Sequence, residues 1–460
     1  MSLRRPGAGK TQLIANALGE HGHSKPILVL THTNSGVAAL RNRLENAGVE
    51  PSRYRLSTID GWAIRLISTF PLRSGHDPHI IEKERPNYPA IRNSAGALLK
   101  SAHVNDVIEA SYSRLLVDEY QDCSLRQHAI VYYAAKVLPT CVVGDQVQAI
   151  FDFGNDDLAD WNKHVCKHFP LAGELSYPWR WHNAEAPDLG HWLLDVRKKL
   201  IANEAIDLRS APSEVTWVQL DGSADDYPKM LRSARARPPG NNGSVLIIGE
   251  STSPASQQRF ASAIPGAVTV EAVDLRDLVG FSQRLDVTSP DAVEVVADFA
   301  ESLMTNVGAT DLVRRVDTLV RGAARRQASS VEYAAIALRR DPCLQRVRDL
   351  LVEINKDAGV RVFRPAILRA CMRALELSCG LGEVSFAEAA VRIREQSRAT
   401  GRKISGRSVG STLTLKGLEA DVAVILDASD LNARNLYVAM TRGAKRLVIC
   451  SRKATLNPTW

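Results

Sequence analysis

No stretch of the 460-residue chain is apolar for the length of a membrane span, and its first residues lack the charge and apolar pattern of a secretion signal. The seven cysteines (123, 141, 166, 343, 371, 379 and 450) include no Cys-x-x-Cys pair, which argues against a zinc or iron–sulfur centre. Cys141 precedes Val142-Val143 and Cys450 follows Val448-Ile449. Buried free thiols in a reducing compartment, the cytoplasm, are therefore expected. Aromatic residues make up only 6%, and there is no internal repeat or low-complexity tract. Charge of one sign is not abundant either: 58 basic and 51 acidic residues leave a net +7. Such mild basicity is compatible with a nucleic-acid partner without identifying one. What is present is 45% hydrophobic residues against 24% charged, enough for full-sized cores. The length predicts two or three domains.

Along the first third, short apolar runs alternate with helical patterns. Pro26 to Thr31 reads as a buried strand, followed by a helix from about Ser35 to Leu44. Leu115 to Asp118 is a strand with a carboxylate at its end, then a helix toward Ala135, and Thr140 to Asp145 repeats the pattern. Buried parallel strands ending in polar loops predict a doubly wound α/β sheet with ligands at the strand ends. Further strands are expected at 215–218, 244–248, 422–426 and 446–449. Leu312, Val316, Leu319 and Val320 recur at helical spacing, as do Val347, Leu350, Leu351 and Ile354. The Gly-, Ser- and basic-rich run from Ser397 to Ser408 reads as a linker.

Pro6-Gly7-Ala8-Gly9-Lys10-Thr11 is a phosphate-binding loop by composition. Glycines let backbone N–H groups close on phosphate oxygens, with a helix N-terminus behind them. Lys10 would reach the β- and γ-phosphates and Thr11 would hold Mg²⁺. The short triplet alone is a weak signal, but Asp118-Glu119 at a strand end strengthens it. Asp118 can hold the metal while Glu119 orients or deprotonates water. Gly144-Asp145-Gln146-Val147-Gln148 follows at the next strand end, where the Gln148 amide could read the γ-phosphate.

With these residues the chain resembles superfamily 1 helicases of the UvrD/Rep type over nearly its whole length. The family's motifs stand in order: the loop, Thr31 to Ser35, Ser57 to Gly61, Asp118 to Asp122, Gly144 to Phe151, Tyr177 to Trp181, Leu415 to Glu419 and Tyr437 to Arg442. The resemblance implies two RecA-like P-loop domains with parallel sheets and a helical insertion in the second. The first would span 1–165, with a small helical insertion at about 61–112; the second 166–288 and 398–460; the insertion 289–397.

It further implies an ATP-dependent 3′–5′ single-stranded DNA translocase or helicase, using ATP and Mg²⁺ at a cleft between the RecA-like domains. Its partners would be single-stranded and duplex DNA and a separate nuclease or repair protein, with no membrane. By the same resemblance, Glu119, Gln148, Arg180 and Arg442 are catalytic. Gly7, Ala8, Gly9, Lys10, Thr11, Gln12, Trp179 and Glu419 hold the nucleotide, with Trp179 on adenine and Glu419 at the ribose. Thr11 and Asp118 hold the metal, and His32, Thr33, Asn34, Thr58, Phe153 and Thr414 face DNA. Arginines 314, 315, 321, 325, 326, 339 and 340 are expected in part to face duplex phosphates.

Three departures from the family pattern stand out. The first is that the adenine-recognition motif and the strand leading into the loop are expected to be missing, with Arg4-Arg5 ahead of Pro6. Such a sheet would lose a central partner, so low stability and weak ATPase activity are expected. The other two are a short segment between Gly61 and Ser113 and a compact helical insertion. A weakly active nucleotide- or DNA-sensing subunit working beside a separate nuclease, for example in phage defence, is the alternative. A P-loop kinase is a third class, against which the late Lys-Gly-Leu-Glu and Thr-Arg motifs argue.

Overall fold

The computed structural model describes residues 2–4, 9–20, 22, 24–82, 86–151, 156–240, 242–272, 274–381, 384–399 and 406–460. They form two compact units, Met1–Ser223 with Lys416–Trp460, and Ala224–Leu415. Both are α/β, with parallel sheets of the RecA-like type.

In the first unit, strands β1 (Ser2–Arg4), β2 (Ile27–Thr31), β3 (Tyr54–Thr58), β4 (Arg114–Val117), β5 (Thr140–Gly144) and β6 (Gly173–Leu175) form one sheet. Their order is β3-β2-β4-β5-β1-β6 and every pairing is parallel. The helices of this region are α1 (Lys10–Gly19), α2 (Asn34–Asn46), α3 (Ile59–Thr69), α4 (Pro71–Ser74), α5 (His79–Glu82), α6 (Tyr88–Lys100), α7 (Asn105–Ser111) and α8 (Leu125–Ala134). All five residues of β2 are buried. Ile27 and Val29 join Ile14, Leu18, Leu40 and Leu44 on one face, while Leu28 and Leu30 join Ile59, Trp62, Ile67 and Ile91 on the other. Side chains alternate across a strand, so a strand covered on both faces must be apolar throughout.

The expectation that the strand before the phosphate-binding loop is missing is corrected. Ser2 lies opposite Val143 on one side and Gly173 on the other, and Leu3 opposite Gly144 and Glu174. Flanked on both sides, even three residues bridge β5 and β6, so the sheet has its central partner.

Helices α3 to α7 occupy the stretch expected to hold a small helical insertion. Arg92 of α6 donates to both carboxylate oxygens of Asp60 in α3 at 2.8 and 2.6 Å and to Asp156 at 2.8 Å. Arg126 of α8 donates to the other Asp156 oxygen at 2.7 Å. The first unit also contains the strands Val215–Gln219, Ala420–Ile425 and Gly443–Ser451, parallel to one another, and the buried helix Ala433–Met440.

In the second unit, Val245–Ile248, Ala267–Thr269 and Arg407–Gly410 pair in parallel. Arg407 and Ser408, expected in a linker, lie in a strand; residues 400–405 of that run are outside the described residues. The rest of the unit is mainly helical. Val347, Leu350, Leu351 and Ile354 form the buried face of one helix as their spacing predicts. Leu312 and Val316 are buried in another, whose last residue, Val320, is 52% exposed. Phe281 stacks on Phe299 with ring centroids 3.8 Å apart. Buried Arg364 donates to both oxygens of Glu271 at 2.7 and 2.9 Å. Among the described residues no helix is long and apolar enough to cross a membrane.

Candidate functional site

The parallel strands of the first sheet deliver the predicted residues at their carboxyl ends, the usual place for ligands in such sheets. Gly9 follows β1, His32 follows β2, Thr58 ends β3, Asp118 follows β4 and Asp145 follows β5. Gly9 has φ +80°, a conformation that favours glycine, and a Cβ there would stand 3.4 Å from Trp179 Cδ1. It caps α1, whose first residues are Lys10, Thr11 and Gln12. Gln12 is exposed and donates to Asn16 Oδ1 at 2.8 Å. Gly7 and Ala8 lie outside the described residues.

Lys10 Nζ donates to Glu119 Oε1 at 3.1 Å. Burial works against the Lys10 ammonium, yet Glu119, Asp118 and Asp145 outweigh it and raise its pKa above the ordinary lysine value. Burial likewise pushes Glu119 up, but Lys10, Lys416 and the Gln121 amide prevail and hold it down to about 2. Gln121 donates through Nε2 to Glu119 and accepts the Asp145 N–H on its Oε1 at 2.9 Å. Glu119 has φ 52° and ψ 43°, the left-handed region, uncommon for a residue with a side chain. Asp118 is buried, its N–H bonded to the Leu30 carbonyl at 2.8 Å. The Asp118 carboxylate, at the end of a parallel strand, is a hard-oxygen donor of the kind suited to Mg²⁺. That ion takes one or two carboxylates and completes its shell with phosphate and water.

Gln148 links this group to the late motifs. Its Nε2 donates to Asp145 Oδ2 at 3.1 Å, and its Oε1 accepts from Arg442 Nη2 at a long 3.5 Å. Arg197 Nη2 donates to the other Asp145 oxygen at 3.0 Å. Arg442 is fixed by its own segment, Nε donating to the Val438 carbonyl at 2.8 Å and Nη1 to that of Leu418 at 3.1 Å. Burial and then Arg180 bring its pKa down to about 10. Arg180 donates to the Thr441 carbonyl at 2.6 Å and to the Glu419 carboxylate. Burial favours the neutral form of Glu419, but Arg180, Arg442 and Arg43 bring its pKa below the usual carboxylate value. Trp179 is 51% exposed and lies against Tyr177, ring centroids 4.4 Å apart, so it is not a core residue. Its neighbour Trp181 is the buried one, donating to the Gly443 carbonyl at 2.9 Å.

The sequence reading assigned Lys416 no role. Its Nζ lies 2.6 Å from both Asp122 oxygens and 2.6 Å from the Gln148 carbonyl. It also stands 4.7 Å from the centroid of Phe151. Burial lowers the Lys416 pKa, with Asp122 and Glu119 opposing, while burial raises Asp122 to about 6 in spite of Lys416. The available signal was a lysine and an aspartate inside two otherwise specific motifs.

On the side expected to meet DNA, His32 is tilted against Phe151 with centroids 5.2 Å apart. Burial brings its pKa down to about 4, with Asp60 opposing and Lys416 and Arg92 adding to the fall. Thr33 and Thr58 cap α2 and α3, accepting the N–H groups of Gly36 at 3.0 Å and Gly61 at 2.9 Å. A hydroxyl that accepts one hydrogen bond can still donate its own proton. Asn34 is exposed at the start of α2. In the second unit Thr414 Oγ1 accepts the Ser411 N–H at 2.9 Å. Phe153 lies outside the described residues. Of the arginine set, Arg314, Arg315 and Arg339 pair with Asp311, Glu332 and Asp317.

A cavity of about 790 Å³ opens at the far ends of α1 and α2, lined among others by Asn16, Arg43 and Arg53. The family model described as UvrD/REP helicase N-terminal domain matches residues 87–163, from α6 through β4 and β5. No curated protein matches the chain.

Proposed function

The chain carries a UvrD-type superfamily 1 helicase domain, and on that premise we propose that it hydrolyses ATP to move 3′ to 5′ along single-stranded DNA. In this reading the RecA-like domains are 1–165 and 166–288 with 398–460, and 289–397 is the helical insertion. Gly9, Lys10 and the first N–H groups of α1 receive the β- and γ-phosphates. Thr11 and Asp118 hold Mg²⁺, which supplies charge neutralisation at the phosphate oxygens.

Glu119, kept ionised by Lys10 and Lys416, orients the attacking water and accepts its proton. Gln148 reads the γ-phosphate, and Arg180 and Arg442 stabilise the charge that develops on it. Trp179 offers an exposed face to the adenine and Glu419 a carboxylate to the ribose. Single-stranded DNA runs past His32, Thr33, Asn34, Thr58, Phe153 and Thr414, gripped by rings and hydroxyls.

One observation carries this reading. Residues from position 10 to position 442 join one run of hydrogen bonds: Lys10 on Glu119, Gln121 between Glu119 and the Asp145 N–H, Gln148 on Asp145, and Arg442 on Gln148. Phosphate release measured with and without single-stranded DNA tests it, with DNA-stimulated turnover expected. ATP binding without turnover in either condition would instead indicate the sensing subunit. Faster displacement of streptavidin from a 5′-biotinylated strand than from a 3′-biotinylated one checks the direction.

A further inference from the structure

Three histidines gather beside the Asp118–Asp122 segment, and nothing in the nucleotide or DNA chemistry uses them. His128 comes from α8, and His164 and His168 from the helical turns Trp161–Val165 and Cys166–His168. His128 is buried, the other two half-buried. His128 Nδ1 lies 2.8 Å from the Tyr120 hydroxyl, and its Nε2 lies 3.1 Å from His168 Nδ1. Tyr132 packs on His168 with centroids 4.3 Å apart. His164 stands 6.3 Å from His128 by ring centroids, its Nδ1 accepting the Asp160 N–H at 3.0 Å.

We propose that His128 Nε2 and His168 Nδ1 form a two-imidazole site for a divalent transition-metal ion of the zinc, nickel or copper class, with Tyr120 orienting His128. Two ring nitrogens on one such ion, each at about 2.0–2.1 Å, stand roughly 3.1–3.4 Å apart at near-tetrahedral angles. The nitrogens therefore already have the separation that coordination needs, with a proton where the ion would sit. Imidazole suits these ions, whereas Mg²⁺ prefers oxygen.

No oxidation or reduction is involved. On binding, the ring whose proton lies between the two nitrogens gives it up there and takes one up on its other nitrogen, so that His128 carries its proton on Nδ1, donated to the Tyr120 oxygen, and His168 on Nε2, with no net proton released. A ligating histidine held by a hydrogen bond from its other nitrogen is the ordinary second layer of a metal site. Among the described residues no three donor groups already converge. His164, committed through Nδ1 to Asp160, leaves the remaining positions to water. Such an ion exchanges readily, and its occupancy would brace Tyr120, the residue next to Glu119.

Copper(II) added to the untagged full chain and read by electron paramagnetic resonance tests this apart from the ATPase reading, because an ion at Asp118 would show oxygen ligands. One equivalent with two coupled nitrogens is expected. H168Q should lose that signal and at least about ten-fold in affinity, and Y120F should weaken binding about ten-fold while keeping both nitrogens. Protection of His168 from diethyl pyrocarbonate by Zn²⁺ gives the answer without any substitution. An all-oxygen copper signal, two nitrogens surviving in H168Q, or unprotected His168 would overturn the site.

Discussion

The cluster at the sheet's strand ends and the arginine-rich helices of the second unit both place opposite charges together, but by different physics. Around the strand ends the charges are largely withdrawn from water: the Lys416 and Asp122 side chains are 8% and 2% exposed. Their partners come from far along the chain, and desolvation is large enough to raise Asp122 to about 6. In the second unit, Arg314 and Asp311 are 77% and 76% exposed and only three residues apart. Exposed pairs of that kind are worth about 0–1 kcal/mol, whereas removing one partner of a buried pair costs about 3–5 kcal/mol. The first region keeps paired charge away from water, and the second keeps it in solvent between near neighbours of one helix.

If that contrast is right, the largest effect should come from R442A. Loss of an arginine that stabilises phosphoryl transfer is expected to slow DNA-stimulated turnover by about 10³-fold or more. A loss of only a few-fold would mean that the late motif does not complete the site. Next, E119Q should lower turnover by about 10²–10⁴-fold while ATP affinity stays intact, since the amide keeps the shape but cannot take a proton. Binding and hydrolysis measured on the same preparation separate the two effects.

K416M probes the buried side of the contrast directly. It leaves the Asp122 carboxylate unpaired and should cost about 3–5 kcal/mol in denaturant unfolding. A loss under about 1 kcal/mol would place Lys416 with the exposed pairs.

Acidity sharpens the same point. Asp122 has a folded pKa raised to about 6, so the folded chain binds that proton more tightly than the unfolded one. Its contribution to stability is fully present below the ordinary 3.8 and is lost as pH rises through 6. Glu119, held at about 2, has the opposite sign: its contribution is present above 4.5 and lost as pH falls through 2. In D122N melts, the wild-type decline between pH 4 and 6 should disappear. The smallest effect is expected from charge reversal at Arg325 and Arg326. If they face duplex phosphates, the salt slope of duplex binding falls by about 0.9 for each contact removed. An unchanged slope would assign them to the solvated class.

How much of this was legible in the sequence follows from the same physics. The strands β2, β4 and β5 announce themselves because both faces are covered and their residues are apolar. Ser2–Arg4 and Arg407–Gly410 are strands whose residues carry no such mark; neighbours on both sides make them so. The same division holds in the site. Lys10, Glu119 and Arg442 were legible as candidates because each stands inside a short motif that is read as a unit. The partners of Asp145 and Asp122, Arg197 and Lys416, lie 52 and 294 residues away and are set only by tertiary packing. The helical cores were legible from periodicity, while the strand at Arg407 was hidden by a basic, glycine-containing neighbourhood.

The left-handed backbone at Glu119 has a consequence for how this chain could change under selection. A side-chain-bearing residue in that conformation costs about 1–2 kcal/mol, which glycine would recover. Glycine there would also strip Lys10 of its Glu119 partner, so screening random variants for heat tolerance alone should discard the carboxylate only together with the Lys10 charge. Screening for growth that depends on turnover should keep it. Heat tolerance and activity would pull this pair of codons in opposite directions.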